Sequence, residues 1–201
     1  MAVQIRVAGH HDAEAVAAIY RPFVEATAIS FETVPPDREE MTRRITETIA
    51  SYPWLVCEIG GQVAGYAYAT RHRVRAAYQW SVDTSVYVDQ HYWRHGIGRG
   101  LYVSVLGILA AQGFFNAYAG IALPNHASVA LHEAVGFEAV GVYRRVGYKL
   151  GAWRDVGWWQ SLLTGHDASP GEPLDLATVR GRPDWERLVT SGQSVIRDVA
   201  A

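Results

Sequence analysis

The sequence predicts a mixed α/β domain, and three observations carry that expectation. Strand-like and helix-like apolar periods alternate from Val3 to Leu163. Two apolar runs, Trp54 to Ile59 and Gln62 to Ala69, flank Gly60-Gly61, a hairpin signal. A strand over Trp80–Val88 runs into the glycine turn Trp93-Arg94-His95-Gly96-Ile97-Gly98-Arg99-Gly100, and an apolar helix, Leu101 to Ala111, comes next. The domain is expected to span residues 1–164, with residues 165–201 as an extension.

Taken in order, Val3, Ile5 and Val7 alternate with polar or small residues and open the chain with a strand. A helix is expected from about Asp12, with Val16, Ile19, Tyr20 and Phe23 on one face and Pro22 breaking or restarting it. Ile29 to Pro36 reads as a loop stiffened by two prolines. Asp37 with Glu40 resembles a capping box and opens a helix to about Ala50. In the strand Trp80–Val88, period two sends Val82, Thr84, Val86 and Val88 to one face and Ser81, Asp83, Ser85 and Tyr87 to the other. Phe115 to Leu123 is a strand, Ser128 to Val135 a helix ended by Gly136, and Phe137–Tyr148 and Val156–Leu163 two further strands. Asp167 to Pro173 reads as a linker, and Asp184 to Val199 as a terminal helix anchored by Trp185.

Composition bounds the function. The chain has 201 residues, is 49% hydrophobic and 19% charged, and carries a net charge of −2, which gives no electrostatic case for nucleic acid. Cys57 is the single cysteine, so neither an internal disulfide nor a cysteine metal cluster is expected. Its place in an apolar strand favours a packed thiol. Met1 to Arg6 lacks the form of a signal peptide, and no apolar run is long enough to span a bilayer, so a cytoplasmic protein is expected. Metal signals are weak. His91 and His95 lie in a loop, and Gly136 stands where a second zinc-binding histidine would come after His132-Glu133. No metal is expected.

The glycine turn carries more chemistry. Glycine lets backbone approach a ligand closely, and the helix start beyond presents unpaired N–H groups and a positive dipole end, which suits a phosphate. Arg94, His95 and Arg99 add charge at the same point. A dinucleotide fingerprint would need a third glycine where Leu101 stands, and a P-loop would need Gly-Lys-Ser/Thr, which is absent.

Val86-Tyr87-Val88 with Gly96-Ile97-Gly98 after it resembles the central motif of the GNAT acetyltransferases, and Asn125-x-x-Ser128-x-x-Leu131-His132-Glu133-x-x-Gly136-Phe137 their next motif. Within that superfamily the chain is similar to the phosphinothricin/methionine sulfoximine N-acetyltransferases. The matching pieces are Phe31-x-Thr33, Tyr78-x-Trp80, Ser85 to Val88, Leu123-Pro124-Asn125, His132-Glu133-Ala134 and Gly151-x-Trp153-x-Asp155-Val156-Gly157-x-Trp159-Gln160. The resemblance covers Val3 to Leu163 and leaves the tail without a counterpart. It implies a central, mostly antiparallel twisted sheet flanked by helices and splayed near Val88. It also implies a homodimer, and acetyl transfer from acetyl-CoA to the α-amine of a small amino-acid analogue by direct attack in a ternary complex.

That implication assigns site residues. The amine must lose a proton before it attacks, and Asp83, on the polar face of the strand leading into the loop, is the candidate acceptor. The resembling enzymes carry glutamate there, so the shorter aspartate favours a water relay. The competing reading is a salt bridge from Asp83 to Arg73 or Arg75. His132 stands where most relatives place a tyrosine that protonates the leaving thiolate; the competing reading is a packed histidine. Arg73, Arg75 and Tyr78 are expected to hold the substrate's acidic group, with Phe31 and Thr33 bordering the pocket, or else to form a solvated basic loop. Val86, Tyr87 and Val88 are assigned to the pantetheine arm, Arg94, His95, Gly96, Ile97, Gly98 and Arg99 to the phosphates, and Asn125 to the arm. Trp93 stands where the family has Gln or Arg, which removes one side-chain contact. Acetylation of another amine and a non-catalytic acyl-CoA sensor are the rival functions.

Overall fold

A computed structural model describes residues 1–166 and 169–197. Seven strands, β1 (Val3–Val7), β2 (Trp54–Ile59), β3 (Gln62–Arg71), β4 (Ser81–Val88), β5 (Asn116–Leu123), β6 (Glu138–Lys149) and β7 (Ala152–Leu162), form one sheet in the order β1-β2-β3-β4-β5-β7-β6. Among the described strand pairs only β4 and β5 run parallel. α1 (Ala13–Glu25) and α2 (Arg38–Ile49) cover one face, and α3 (Ile97–Gln112) covers the other. α4 (His126–Ala134) comes after β5.

Alternation builds both cores from the same strands. In β2, Leu55, Cys57 and Ile59 face α3 while Trp54 and Val56 face α1 and α2. In β4, Val82, Val86 and Val88 go to the α3 side and Tyr87 to the α1 side, as period two requires. Burial pushes the Cys57 thiol up to about 12, so it stays a packed thiol at neutral pH. Asp37 caps α2 by accepting from the Glu40 N–H at 2.8 Å.

Three expectations need correction. α1 is not broken at Pro22 but runs on to Glu25. A proline deprives a helix of one hydrogen bond, and the burial of Val16, Ile19, Tyr20 and Val24 carries the helix past it. The sheet opens earlier than Val88: β4 and β5 pair only over Ser81–Asp83 against Asn116–Tyr118. Beyond that point β4 stays with β3 to Val88, and β5 stays with β7 to Leu123. The tail forms two short helices, α5 (Leu176–Arg180) and α6 (Trp185–Thr190), and a 3-10 turn over Gln193–Val195 instead of one helix from Asp184. Of the expected helix and linker, Asp198 and Val199, and Asp167 and Ala168, lie outside the described residues.

The loop after α1 is tied to the far end of the sheet. Lys149 at the end of β6 is buried, and its Nζ donates to the carbonyls of Val24, Ser30 and Glu32 at 2.6, 2.7 and 2.7 Å. Phe31 lies against Gly147, where any Cβ would overlap the ring. Lys149→Met removes three charge-assisted hydrogen bonds and strands buried carbonyls. It should cost about 3 kcal/mol in urea unfolding and open residues 26–36 to limited proteolysis.

Candidate active site

The fork between β4 and β5 opens into a cavity of about 650 Å³. Its walls are Val86 to Val88, the loop Arg94–Arg99 and the face of α4 from Asn125 to Leu131. Gly96 and Arg94 hold left-handed conformations, φ +82° and +67°. Gly96 is the N-cap of α3 and supplies no side-chain cap. The first-turn amides and the positive end of α3 therefore remain available to an anion. The glycines also serve packing. A Cβ on Gly98 would sit 2.9 Å from Leu131 Cδ2, and one on Gly96 would sit 2.6 Å from the Val195 carbonyl. Arg94 and Arg99 line the cavity beside an apolar floor of Val86, Ile97 and Leu131. That donor set suits a ligand with a phosphorylated end and a thin, largely apolar arm. His95 is not part of this lining; its carbonyl accepts from the Arg197 N–H at 2.8 Å.

Trp93, 55% exposed, donates Nε1–H to the Val88 carbonyl at 2.8 Å, which commits one lone pair of a group expected to meet the pantetheine arm. The Asn125 Oδ1 caps α4 by accepting from the Ser128 N–H at 3.1 Å, so its amide nitrogen is the part left for a ligand.

A narrow slot continues from the cavity between Thr84–Tyr87 and Ala119–Ala122, and Tyr102 and His132 close its end. His132 is buried. Its Nδ1 lies 2.7 Å from the Ser128 carbonyl, an acceptor only, so Nδ1 carries the proton. Nε2, 2.8 Å from the Tyr102 hydroxyl, then accepts from it. Burial pushes the ring below its ordinary value of 6.5, against the Ser128 contact, and keeps it neutral. Both His132 nitrogens are thus engaged inside the protein, and Tyr102, buried in α3, holds the hydroxyl between the ring and the slot.

At the fork itself stands a pair that the sequence did not single out. Asp83 Oδ1 meets His72 Nδ1 at 2.6 Å, while Asp83 Oδ2 is 4.0 Å from Arg73 Nη1. The ion pair with Arg73 is thus present but long, Arg75 takes no part in it, and the closer partner is a histidine. His72 stacks on Tyr118 with ring centroids 4.5 Å apart and meets Tyr78 edge-on at 5.9 Å. Among the described residues its Nε2 has no hydrogen bond. Burial raises the Asp83 carboxyl, and the contacts with His72 and Arg73 partly offset that rise.

Arg73 and Arg75 do not share a face, because the chain bends after β3 and enters a 3-10 turn over Ala76–Tyr78. Arg73 lies 5.7 Å from the centre of the Trp158 ring, next to Asp83. Arg75 begins the turn with its carbonyl accepting from the Tyr78 N–H, and its side chain is exposed. Phe31 and Thr33 sit in the Lys149-tethered loop, both exposed; Ile29 of the same loop borders the cavity and the slot. Among the described residues no group of three His, Cys, Asp or Glu is placed to hold a metal ion, and no helix is long and apolar enough to cross a membrane.

Residues 5–158 match the acetyltransferase (GNAT) domain family. The chain belongs to the GNAT acetyltransferases. Its co-substrate is acetyl-CoA, for which the cavity and its cationic loop provide a fitting site. The phosphinothricin N-acetyltransferase of Streptomyces viridochromogenes is 44% identical over 158 residues, 79% of this chain and 86% of the relative. The L-methionine sulfoximine/L-methionine sulfone acetyltransferase of Pseudomonas aeruginosa is 32% identical over 85% of this chain and its whole length. The crystal structure of a GNAT phosphinothricin acetyltransferase from Sinorhizobium meliloti in complex with AcCoA superposes with a TM-score of 0.82, at 34% identity, over 87% of this chain and 96% of that one.

His132 has a consequence for stability. In the unfolded chain the ring takes a proton near its ordinary value; in the fold it resists one. Stability is therefore complete above about pH 6.5 and is lost as pH falls from there through the lower folded value. Thermal unfolding between pH 7 and pH 5 should show a steeper loss for the parent acetyltransferase than for His132→Gln. Equal slopes would contradict a buried neutral ring.

Proposed function

We propose that this acetyltransferase acetylates the α-amine of a small amino-acid analogue of the phosphinothricin or methionine sulfoximine type, by direct attack within a ternary complex. The observation that carries the reading is the His72–Asp83 pair at the mouth of the fork, with Arg73 beside it. The similarity to relatives named for those two substrates supports the substrate class.

Bound acetyl-CoA supplies the activated acetyl group. The protein must place an amine against it and take a proton from that amine. His72 donates Nδ1–H to Asp83 and presents Nε2 as the proton acceptor. Asp83 fixes that tautomer and stabilises the imidazolium that forms. The histidine reaches where the shorter aspartate does not, so it takes the place of a water relay. Arg73, partly exposed over Trp158, offers its guanidinium to the carboxylate or phosphinate of the substrate. The same positive charge disfavours a polycationic amine. Past the fork the edge of β4 has no strand partner on the β5 side, and Val86 offers backbone groups to the amide-bearing arm as an added strand would. Near the leaving sulfur, Tyr102 with His132 behind it is the available hydroxyl–imidazole pair. An acyl-CoA sensor would have no need of a proton acceptor at the fork.

CoA release should be measured with phosphinothricin, methionine sulfoximine, methionine sulfone, ordinary amino acids and spermidine offered in parallel. Turnover confined to the first three is expected. Asp83→Asn and His72→Ala should each lower kcat about 100-fold, and the double variant should fall little further, because the two act as a unit. Near-normal turnover in folded Asp83→Asn would remove the pair from catalysis. Arg73→Ala should raise the amine KM and leave acetyl-CoA binding intact.

The assembly we infer is a homodimer through the edge hairpin β6–β7. Val140, Val142, Tyr143, Val146, Tyr148 and Trp153 are all exposed on it, an apolar surface that calls for cover. Sedimentation should give a dimer, and Val142→Glu with Val146→Glu a monomer; a monomeric parent chain would refute it.

A further inference from the structure

The family match ends at residue 158, and the tail beyond β7 folds back onto the acetyl-CoA site. Leu176, Val179 and Val189 of the tail are buried, and Leu176 and Val189 join the core on the α3 side. Gln193 Oε1 accepts from the Ile5 N–H at 2.8 Å, and Ser104 Oγ accepts from the Gly192 N–H at 3.1 Å. Two glycines then meet backbone to backbone. A Cβ on Gly100 would lie 2.6 Å from the Gly192 carbonyl, and a Cβ on Gly192 would overlap the Gly100 carbonyl. This approach seats the last described turn against the start of α3. The Arg197 N–H closes the contact on the His95 carbonyl.

The outcome is that Val195 and Arg197 line the same cavity as Arg94 and Arg99. The Arg197 side chain is exposed and, among the described residues, has no partner of its own. We propose that Arg197 is a third guanidinium of the phosphate end of the acetyl-CoA site, supplied by the tail and not by the GNAT domain proper. The ligand chemistry is a phosphate monoester or diester on a nucleotide. A planar guanidinium fork pairs with such oxygens in two-point fashion, and the backbone bond from the same residue to the loop fixes where the fork begins. The inference rests on the cavity being the acetyl-CoA site.

Calorimetric titration of the full chain with CoA, dephospho-CoA and the phosphate-free acetyl-pantetheine tests it. Arg197→Ala should weaken CoA binding about tenfold, the scale of one charge-assisted hydrogen bond, with an unchanged unfolding midpoint. Arg197→Lys should recover part of the loss, and acetyl-pantetheine should bind parent and variant alike. If the loss disappears with dephospho-CoA, the contact is to the 3′-phosphate; if it persists, the contact is to the diphosphate. CoA affinity within about twofold of the parent in folded Arg197→Ala would overturn the proposal and leave the acetyl-CoA site standing. A parent chain that did not bind CoA would instead overturn the site itself.

Discussion

The structure depends on the separation of two parallel strands. β4 is held by β3 and β5 by β7, and between them only three residues on each side pair. Antiparallel pairing on both outer sides makes the parting tolerable, because neither strand relies on the other for most of its ladder. Past Asp83 and Tyr118 the slot ends on Tyr102 of α3 and His132 of α4, and the His72–Asp83 pair stands where the strands part. The cavity, the slot and the place of the His72–Asp83 pair are all consequences of that one gap.

Much of this was legible in the chain. Period two in β4 assigned its side chains to the two faces correctly, because burial on both faces leaves little freedom in register. The turn from Trp93 to Gly100 was readable as a glycine break at the start of a helix, and the structure has a left-handed Gly96 and no side-chain cap there. His72 was hidden among arginines. Only the β3–β4 register, which pairs Thr70 with Asp83, brings it beside the carboxylate. Tyr102 looked like one more apolar helix residue, and nothing local told that its hydroxyl meets a ring thirty positions later. The tail defeated local reading for a related reason: Gly192 stands after α6 because of the Gly100 backbone it touches, and not because of its neighbours in sequence.

Asp83 carries a short carboxylate beside the gap. His72, on the neighbouring chain segment, lies against it, stacked on Tyr118 and bonded to the acid at 2.6 Å. The aromatic surroundings fix the ring plane, so the pair is oriented by packing as much as by charge.

Lys149 joins residues 117 to 125 positions apart in the chain. On a ribosome the segment from Val24 to Glu32 is made early, yet the ammonium that gathers its carbonyls emerges only at the end of the sixth strand. The wall on the α1 side of the pocket must therefore wait, unfinished, for nearly the whole domain to be synthesised. A nascent chain stopped before β6 would carry much of the sheet but no tether for the loop after α1. Completion of the pocket and completion of the domain are, in this fold, a single late event.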